Sequence, residues 1–505
     1  MSAALPALAT WVLTAAAGYG VLALAGARPR VLRPDGQRGL GGPEALGYAL
    51  LAGAAVAALL VVVLSPVRQV SAWTVGGGLL LVAVIGLVRG RGAAEGDGPG
   101  SGEGEAPAGD ALDGSTPKDW LAFLPALAVV ALTVHLAALR PVWNVDAQRR
   151  WVLHAQWTAH YDTAVPEEVA LPALATSHPS YPPLVSGLAA VALDLGADPD
   201  RGLRPLFPGF LLALVAIAFG FAHRRAGPRV AALVALALAL TPALSHTDRL
   251  GLGAGAAHAD VALAAYLTGV LALVLSGLDR GRAGEEPDGD APNLGKLSIP
   301  GTWTLTAVLA VGAAWTKNEG LVYVALALVA TAIGCLASPS LRRHGRTLAL
   351  PTLAAIGAGL LWKLVARAMP VAEGEDYVSG GIVAVVLGGL ERLPTILARL
   401  GAEFADLTLW GTLWCAALPL ALVASLLPRP GASLARRAVP GLWLLLGLAL
   451  VVAAYLATGW KGGRYEVLMD VSLARLIAHH APLVALLIVE AWGAPRAPRQ
   501  AGLGD

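Results

Sequence analysis

"DWLAFLPALAVVALTVHLAALRPVWNVDAQRRW" runs from Asp119 to Trp151. Its first part is apolar for about 20 residues, roughly the length of α-helix that crosses the hydrocarbon core of a bilayer. Its last part crowds an aspartate, a glutamine and two arginines between tryptophans. The first part predicts a membrane helix over 119–139. The second asks why a chain so poor in charge places this much of it at the end of such a helix.

Similar apolar runs recur along the chain. Of its 505 residues 56% are hydrophobic and only 14% charged. A water-soluble domain of this size needs more charge to cover its surface. The sequence therefore predicts an all-α polytopic membrane protein of about 13 transmembrane helices. They are expected near 5–26, 44–65, 71–88, 119–139, 205–222, 228–245, 259–277, 301–316, 320–337, 347–368, 408–427, 440–459 and 481–494. The first has no basic region ahead of it and reads as a retained helix rather than a cleaved signal. The two cysteines, Cys335 and Cys415, lie in apolar runs and are expected as small core residues.

The apolar stretch "PLVSGLAAVALDLGA", 183–197, is short, and charge decides how to place it. Loops on the cytoplasmic side are enriched in Lys and Arg. If 183–197 does not span, the clusters at 27–38, 223–229, 279–284, 340–346 and 428–437 fall on one side with the C-terminal tail. That arrangement puts the N-terminus outside and the C-terminus inside, and makes 183–197 interfacial or re-entrant.

Gly-rich, acidic segments at 90–118 and 279–297 read as disordered cytoplasmic loops. The chain then divides into a three-helix N-terminal segment (1–88), a linker (89–118), a main membrane module (119–495) and a tail (496–505).

In this topology the chemistry-bearing residues collect outside. Asp146 directly follows a membrane helix; it is either a helix cap or a carboxylate facing a cavity. The segment after it has helical periodicity, with Val145, Trp151, Val152, Ala155 and Thr158 or Ala159 on one face. It predicts an amphipathic helix on the membrane surface. "HPSYPPL", 178–184, is a proline-stiffened loop that offers His178 and Tyr181. His258 and Asp260 stand where a loop meets an apolar helix, and an acid at a membrane edge is a functional candidate. Lys317, Asn318 and Glu319 interrupt two apolar helices in a chain with only five lysines. The last outer stretch carries Lys461, Arg464, Arg475, His479 and His480. Seven of the ten histidines fall on the outer side. None shows the paired spacing with an acid that argues for zinc.

Acids at the mouths of two helices, cations in later loops and amphipathic surface helices suit chemistry on an amphiphile. Such a substrate keeps its tail in the bilayer and its phosphate at the interface. Cations neutralise the phosphate, and an acid takes a proton from an incoming hydroxyl.

These residues resemble the GT-C superfamily of integral-membrane glycosyltransferases, the protein mannosyltransferases and lipid A aminoarabinose transferases among them. The resemblance rests on five short motifs in order across 141–483: "WNVDAQRRW", "HPSYPPL", "ADVALAAYL" from Ala259, "KNEG" from Lys317, and "SLARLIAHHAPL" from Ser472. The chain departs from many relatives in having Ala147 after the first acid and Ser180 in the second motif. The resemblance implies inverting transfer from a polyprenyl-phosphate sugar to a glycan, glycolipid or protein acceptor outside the plasma (inner) membrane. It implies Asp146 as general base, Asp260 beside it, and Lys317 with Arg464 or Arg475 on the phosphate. It implies substrate contacts from His178, Tyr181, His258, Asn318 and Glu319. No cofactor or metal and no nucleic-acid partner is expected. A secondary transporter and a non-catalytic membrane scaffold are the rival readings. A transporter usually holds its charges at the midplane of two repeated halves.

Overall fold

The computed structural model describes residues 4–26, 42–95, 117–142, 144, 146–170, 178–245, 253–283, 299–338, 341–369, 387–426, 434–457 and 465–492. Among the described residues the regular structure is all helical, with no strand. Their α-helices are α1 (Leu5–Leu24), α2 (Gly42–Leu64), α3 (Ala72–Glu95), α4 (Pro117–Leu139), α5 (Leu153–Tyr161), α6 (Leu184–Asp194), α7 (Pro208–Ala226), α8 (Pro228–Leu240), α9 (Asp260–Ala283) and α10 (Ile299–Thr316). There follow α11 (Asn318–Ala337), α12 (Arg342–Thr347), α13 (Ala349–Val365), α14 (Leu393–Phe404), α15 (Leu407–Trp410), α16 (Leu418–Leu426), α17 (Leu434–Ala457), α18 (Tyr465–Ala478) and α19 (Ala481–Trp492).

Among the described residues ten helical segments are long and apolar enough to cross a membrane, α18 and α19 counting together as one. The chain is an all-α polytopic membrane protein. Three of the expected spans do not meet that measure. In 228–245 the helix is α8, of 13 residues. In 301–316 it is α10, whose threonines at 302, 304, 306 and 316 dilute its apolar character while its surface is largely buried by neighbours. In 408–427 the chain is broken: α15, a π-turn over Leu413–Ala417, then α16. That π-turn points Trp414 inward and leaves Cys415 exposed, so of the two cysteines only Cys335 is a core residue.

The stretch expected to stay short of spanning is α6. Its 11 residues cover about 16 Å at 1.5 Å each, half of a bilayer core. It is almost fully buried against α5, α2 and α1. The expected linkers fall largely outside the described residues, α3 continuing to Glu95, α4 beginning at Pro117, and α9 ending at Ala283.

The N-terminal helices pack into the bundle. Where α1 crosses α2, a Cβ on Gly18 would overlap the Ala49 carbonyl and one on Gly53 the Thr14 carbonyl, so only glycine permits this approach. α2 in turn lies against α7 and α10. The Trp11 indole of α1 donates to the Leu206 carbonyl at 2.7 Å, just ahead of α7.

α7 fixes the two ends of the molecule. It starts beside Arg204, which bonds the loops that lead to Asp146 and His258. It runs 19 residues, about 28 Å, to Arg224 and Arg225. The two arginines meet Glu44 of α2 and Glu490 of α19. The first end carries the residues singled out above; the second carries the Arg224–Glu44 and Arg225–Glu490 ion pairs.

Candidate functional site

Four separate stretches converge at the first end. α9 opens on Asp260, and α10 and α11 meet at Lys317. α18 and α19 meet at His479 and His480, and α4 precedes Asp146 in the chain. Each is a helix end, where the backbone turns and side chains of distant segments can meet.

Asp260 is the hub. Its side chain is 2% exposed. Its Oδ1 accepts from the Lys317 ammonium at 2.8 Å and shares a hydrogen bond with His479 Nε2 at 2.9 Å. Its Oδ2 accepts from Arg475 Nε at 3.0 Å. A carboxylate buried this deeply is tolerable only with such partners. Arg475 then reaches outward, and its Nη1 donates to Asp146 Oδ2 at 2.7 Å. One guanidinium therefore bridges both acids. Glu319 stands 3.9 Å from the Lys317 ammonium, at the edge of the cluster.

Asp146 differs from Asp260 in its setting. Its side chain is 41% exposed. It makes no cap hydrogen bond to the helix it precedes. That role belongs to Asn144, whose Oδ1 accepts from the backbone N–H groups of Asp146 and Ala147 at 2.9 and 3.3 Å. The helix that follows opens as a π-turn over Ala147–Val152 and continues as α5. Such turns recur at functional sites because they re-aim side chains. Here the turn brings Arg150 Nη2 to 4.0 Å from Asp146 Oδ1. Burial pushes the Asp146 pKa up, but the charges of Arg150 and Arg475 outweigh it and hold the carboxyl below its ordinary value.

Arg150 also meets the proline-stiffened loop. Its Nη2 lies 3.0 Å from His178 Nε2, and its guanidinium lies 5.5 Å over the Tyr181 ring. His178 takes a left-handed φ of +54°. The loop is anchored at Ser180, whose carbonyl accepts from Trp362 Nε1 at 2.8 Å. Tyr181 packs edge-on against both Trp151 and His178.

His258 sits between the acids. It is 1% exposed, and its Nδ1 lies 3.8 Å from Asp260 Oδ2. Burial first, then the Arg475 charge, lowers its pKa to about 3 against the pull of Asp260 and Asp146, so it is neutral. The loop before it is pinned by Ala254 N–H to the Leu244 carbonyl and Gly255 N–H to the Ser245 carbonyl. Arg204 Nε donates to the Gly255 carbonyl and Nη1 to the Pro141 carbonyl, each at 2.7 Å. Buried Arg204 thereby ties the approach to His258 to the approach to Asp146.

Of the residues singled out from sequence, the structure joins Asp146, Asp260, His258, Lys317, Glu319 and Arg475 in one cluster. It attaches His178 and Tyr181 to it through Arg150. Asn318 is exposed at the first position of α11. Arg464 lies outside the described residues. Arg150 and Arg204 are additions, and His479, noted with the cations of the last outer stretch, joins the site at Asp260. Arg150 and His479 each stand four residues after a site residue, one helical turn away, and that spacing is the signal that finds them. No spacing finds Arg204. The expected surface helix is α5; it buries Ala155 and Thr158 as predicted, but its neighbour is α6. Among the described residues no group of three His, Cys, Asp or Glu side chains is set to hold a metal ion.

No protein-family model matches this chain, and neither curated proteins nor solved structures give a match.

Proposed function

We propose that the protein is a membrane glycosyltransferase that moves a sugar from a polyprenyl-phosphate donor to a hydroxyl of a glycan, glycolipid or protein acceptor. The observation that carries the reading is Asp146: a half-open carboxylate, relieved of capping by Asn144 and backed by a buried charge network.

In this reading Asp146 takes the proton of the acceptor hydroxyl. The hydroxyl oxygen bonds to the anomeric carbon while the bond from that carbon to the phosphate oxygen breaks. Polyprenyl phosphate leaves with the bonding electrons, and the anomeric centre inverts. Lys317 is committed to Asp260, so it acts by holding that carboxylate in place. Among the described residues the cations left for the phosphate are Arg150 and the outward half of Arg475. An entering phosphate competes with Asp146 for Arg475. It draws the guanidinium away and raises the basicity of the carboxylate it leaves behind. A low-dielectric surrounding strengthens each of these interactions. The site faces outward in a multi-pass plasma (inner) membrane protein, the side free of the basic clusters.

A transporter is the rival reading: Arg475 and His479 lie beside the break between α18 and α19, but Asp146, Asp260 and Lys317 meet them from the ends of other helices. The test is transfer from labelled polyprenyl-phosphate sugars in membranes carrying the protein. Transfer by the native protein and its loss in Asp146→Asn at equal expression supports the reading. Transfer that survives Asp146→Asn removes the base; no transfer from any donor removes the reaction.

A further inference from the structure

Two consecutive residues at the site carry burdens that the fold does not relieve. Ala257 adopts a left-handed φ of +62°. An L-residue with a Cβ avoids this conformation, and where it persists the surrounding structure has imposed it. His258 is fully buried, yet both ring nitrogens lack a hydrogen-bond partner. Of its neighbours, Asp260 accepts from three side chains and Asp146 from Arg475, while Glu319 Oε2 and His479 Nδ1 each lack a partner on one atom only; His258 lacks one on both ring nitrogens. The strain at Ala257 is enforced from outside by the backbone pairs at Ala254 and Gly255 and by Arg204. The loop is thus built to hold an imidazole, unsatisfied, beside two carboxylates.

Its charge state narrows what satisfies it. A neutral imidazole offers one N–H donor and one bare nitrogen acceptor. It has no cationic pull on a phosphate; Arg475 and Arg150 supply that. A hydroxyl is likewise both donor and acceptor, and so complements the ring.

We infer that His258 is a specificity-determining residue that reads a neutral hydroxyl of the sugar carried by the lipid-phosphate donor. The inference rests on the glycosyltransferase reading and assigns within it the group that tells a glycosylated lipid phosphate from a bare one. Arg150 and Arg475 hold the phosphate common to both lipids. His258 binds the part present only in the donor. Removing a group that satisfies a buried hydrogen-bonding site discriminates more strongly than removing apolar contact.

The experiment compares two families of ligand on the full-length protein in nanodiscs: polyprenyl phosphate, and polyprenyl phosphate esterified with glucose, mannose or galactose. The native protein is expected to bind one hexoside about tenfold or more tightly than the bare phosphate, the worth of one well-made hydrogen bond. His258→Ala is expected to erase that difference while leaving affinity for bare polyprenyl phosphate unchanged, which also shows that the variant is folded. His258→Asn, which keeps a donor and an acceptor, is expected to recover part of it. If His258→Ala keeps the full preference, or if it weakens both ligands equally, the inference fails and the glycosyltransferase reading stands. If the native protein binds the bare phosphate and prefers no hexoside, the inference fails as well. If the native protein binds none of these lipids, the glycosyltransferase reading falls and takes the inference with it.

Discussion

The two ends of α7 handle buried charge in opposite ways. At the far end each charge has its own partner: Arg224 meets Glu44, and Arg225 meets Glu490 at 2.6 Å. These pairs tie α7 to α2 and to α19. At the site end the charges are pooled. Arg475 serves two acids, Asp260 serves three donors, and His258 is left without a hydrogen-bond partner. Paired charge makes a fixed joint. Pooled charge makes a place where a ligand's charge can enter and the partners can be redistributed.

The difference can be broken at its strongest point first. Asp260→Ala leaves the Lys317 ammonium, the Arg475 Nε and His479 buried without their acceptor. It is expected to lower stability by about 3–5 kcal/mol, as for removal of one member of a buried ion pair. Thermal unfolding of purified protein in detergent checks this. Asp146→Asn is expected to do the reverse: little change in unfolding temperature, because the side chain is half-open, and at least about a hundredfold loss of transfer, the usual scale for a general base. If Asp146→Asn destabilises as much as Asp260→Ala, the two acids are equally structural and the pooled end is only a larger joint.

At the far end, Glu490→Gln is expected to lower stability by about 1–3 kcal/mol, since Arg225 keeps a neutral acceptor and some access to water. Transfer per folded molecule should not change. A smaller effect is expected at the strained loop. Ala257→Gly removes the Cβ conflict, which outweighs the glycine's added freedom in the unfolded chain, and is expected to stabilise by about 1 kcal/mol. Measured unfolding curves decide.

The weakest effect concerns pH. Asp146 has a folded pKa below its ordinary value of 3.8, so its ion pairs contribute stability above that value, and the contribution is lost as pH falls through the lowered pKa. In the free protein Asp146 is ionised throughout the neutral range, so kcat/KM for transfer should show no acid limb from this residue between pH 5 and 8, whereas kcat follows the pKa of the donor-bound site. His258, with a pKa of about 3, also adds no step there. A rate profile with a titration near pH 6.5 would place a different histidine in the reaction.

Much of this was legible in the chain before its fold was known. Apolar runs of bilayer length mark the helices, and polar residues at the ends of such runs mark most of the cluster: Asp146, His258, Asp260, Lys317 and Arg475. The pairings were not legible. Lys317 and Asp260 are 57 residues apart, and Arg475 and Asp146 are 329 apart. Local periodicity holds no record of such distances. Lys317 therefore read as a free cation for phosphate, whereas it is held by Asp260. The choice between cap and open carboxylate at Asp146 turned on Asn144, two residues earlier, which takes the capping role. The apolar face of α5 was read correctly, but a face does not say what covers it, and α6 does so in place of lipid alone. The three expected spans that fall short of the measure do so for different reasons: α8 is short, α10 is diluted by its threonines, and 408–427 is broken by a π-turn.

The Glu44–Arg224 pair has a consequence for how the chain is made. Its members are 180 residues apart. At a synthesis rate of roughly 5–20 residues per second, Arg224 emerges on the order of 10–40 s after Glu44. During that interval α2 has a carboxylate at its leading end without its partner Arg224. Glu44 is the third residue of the helix, so it can wait at the water boundary while the apolar remainder of α2 enters the bilayer beside α1. The docking of α2 on α7 must then follow insertion as a separate event, completed when the carboxylate is drawn in by its arginine. Pulse-labelled nascent chains stopped before residue 224 should expose Glu44 to aqueous carboxyl reagents, and chains extended well past it should not.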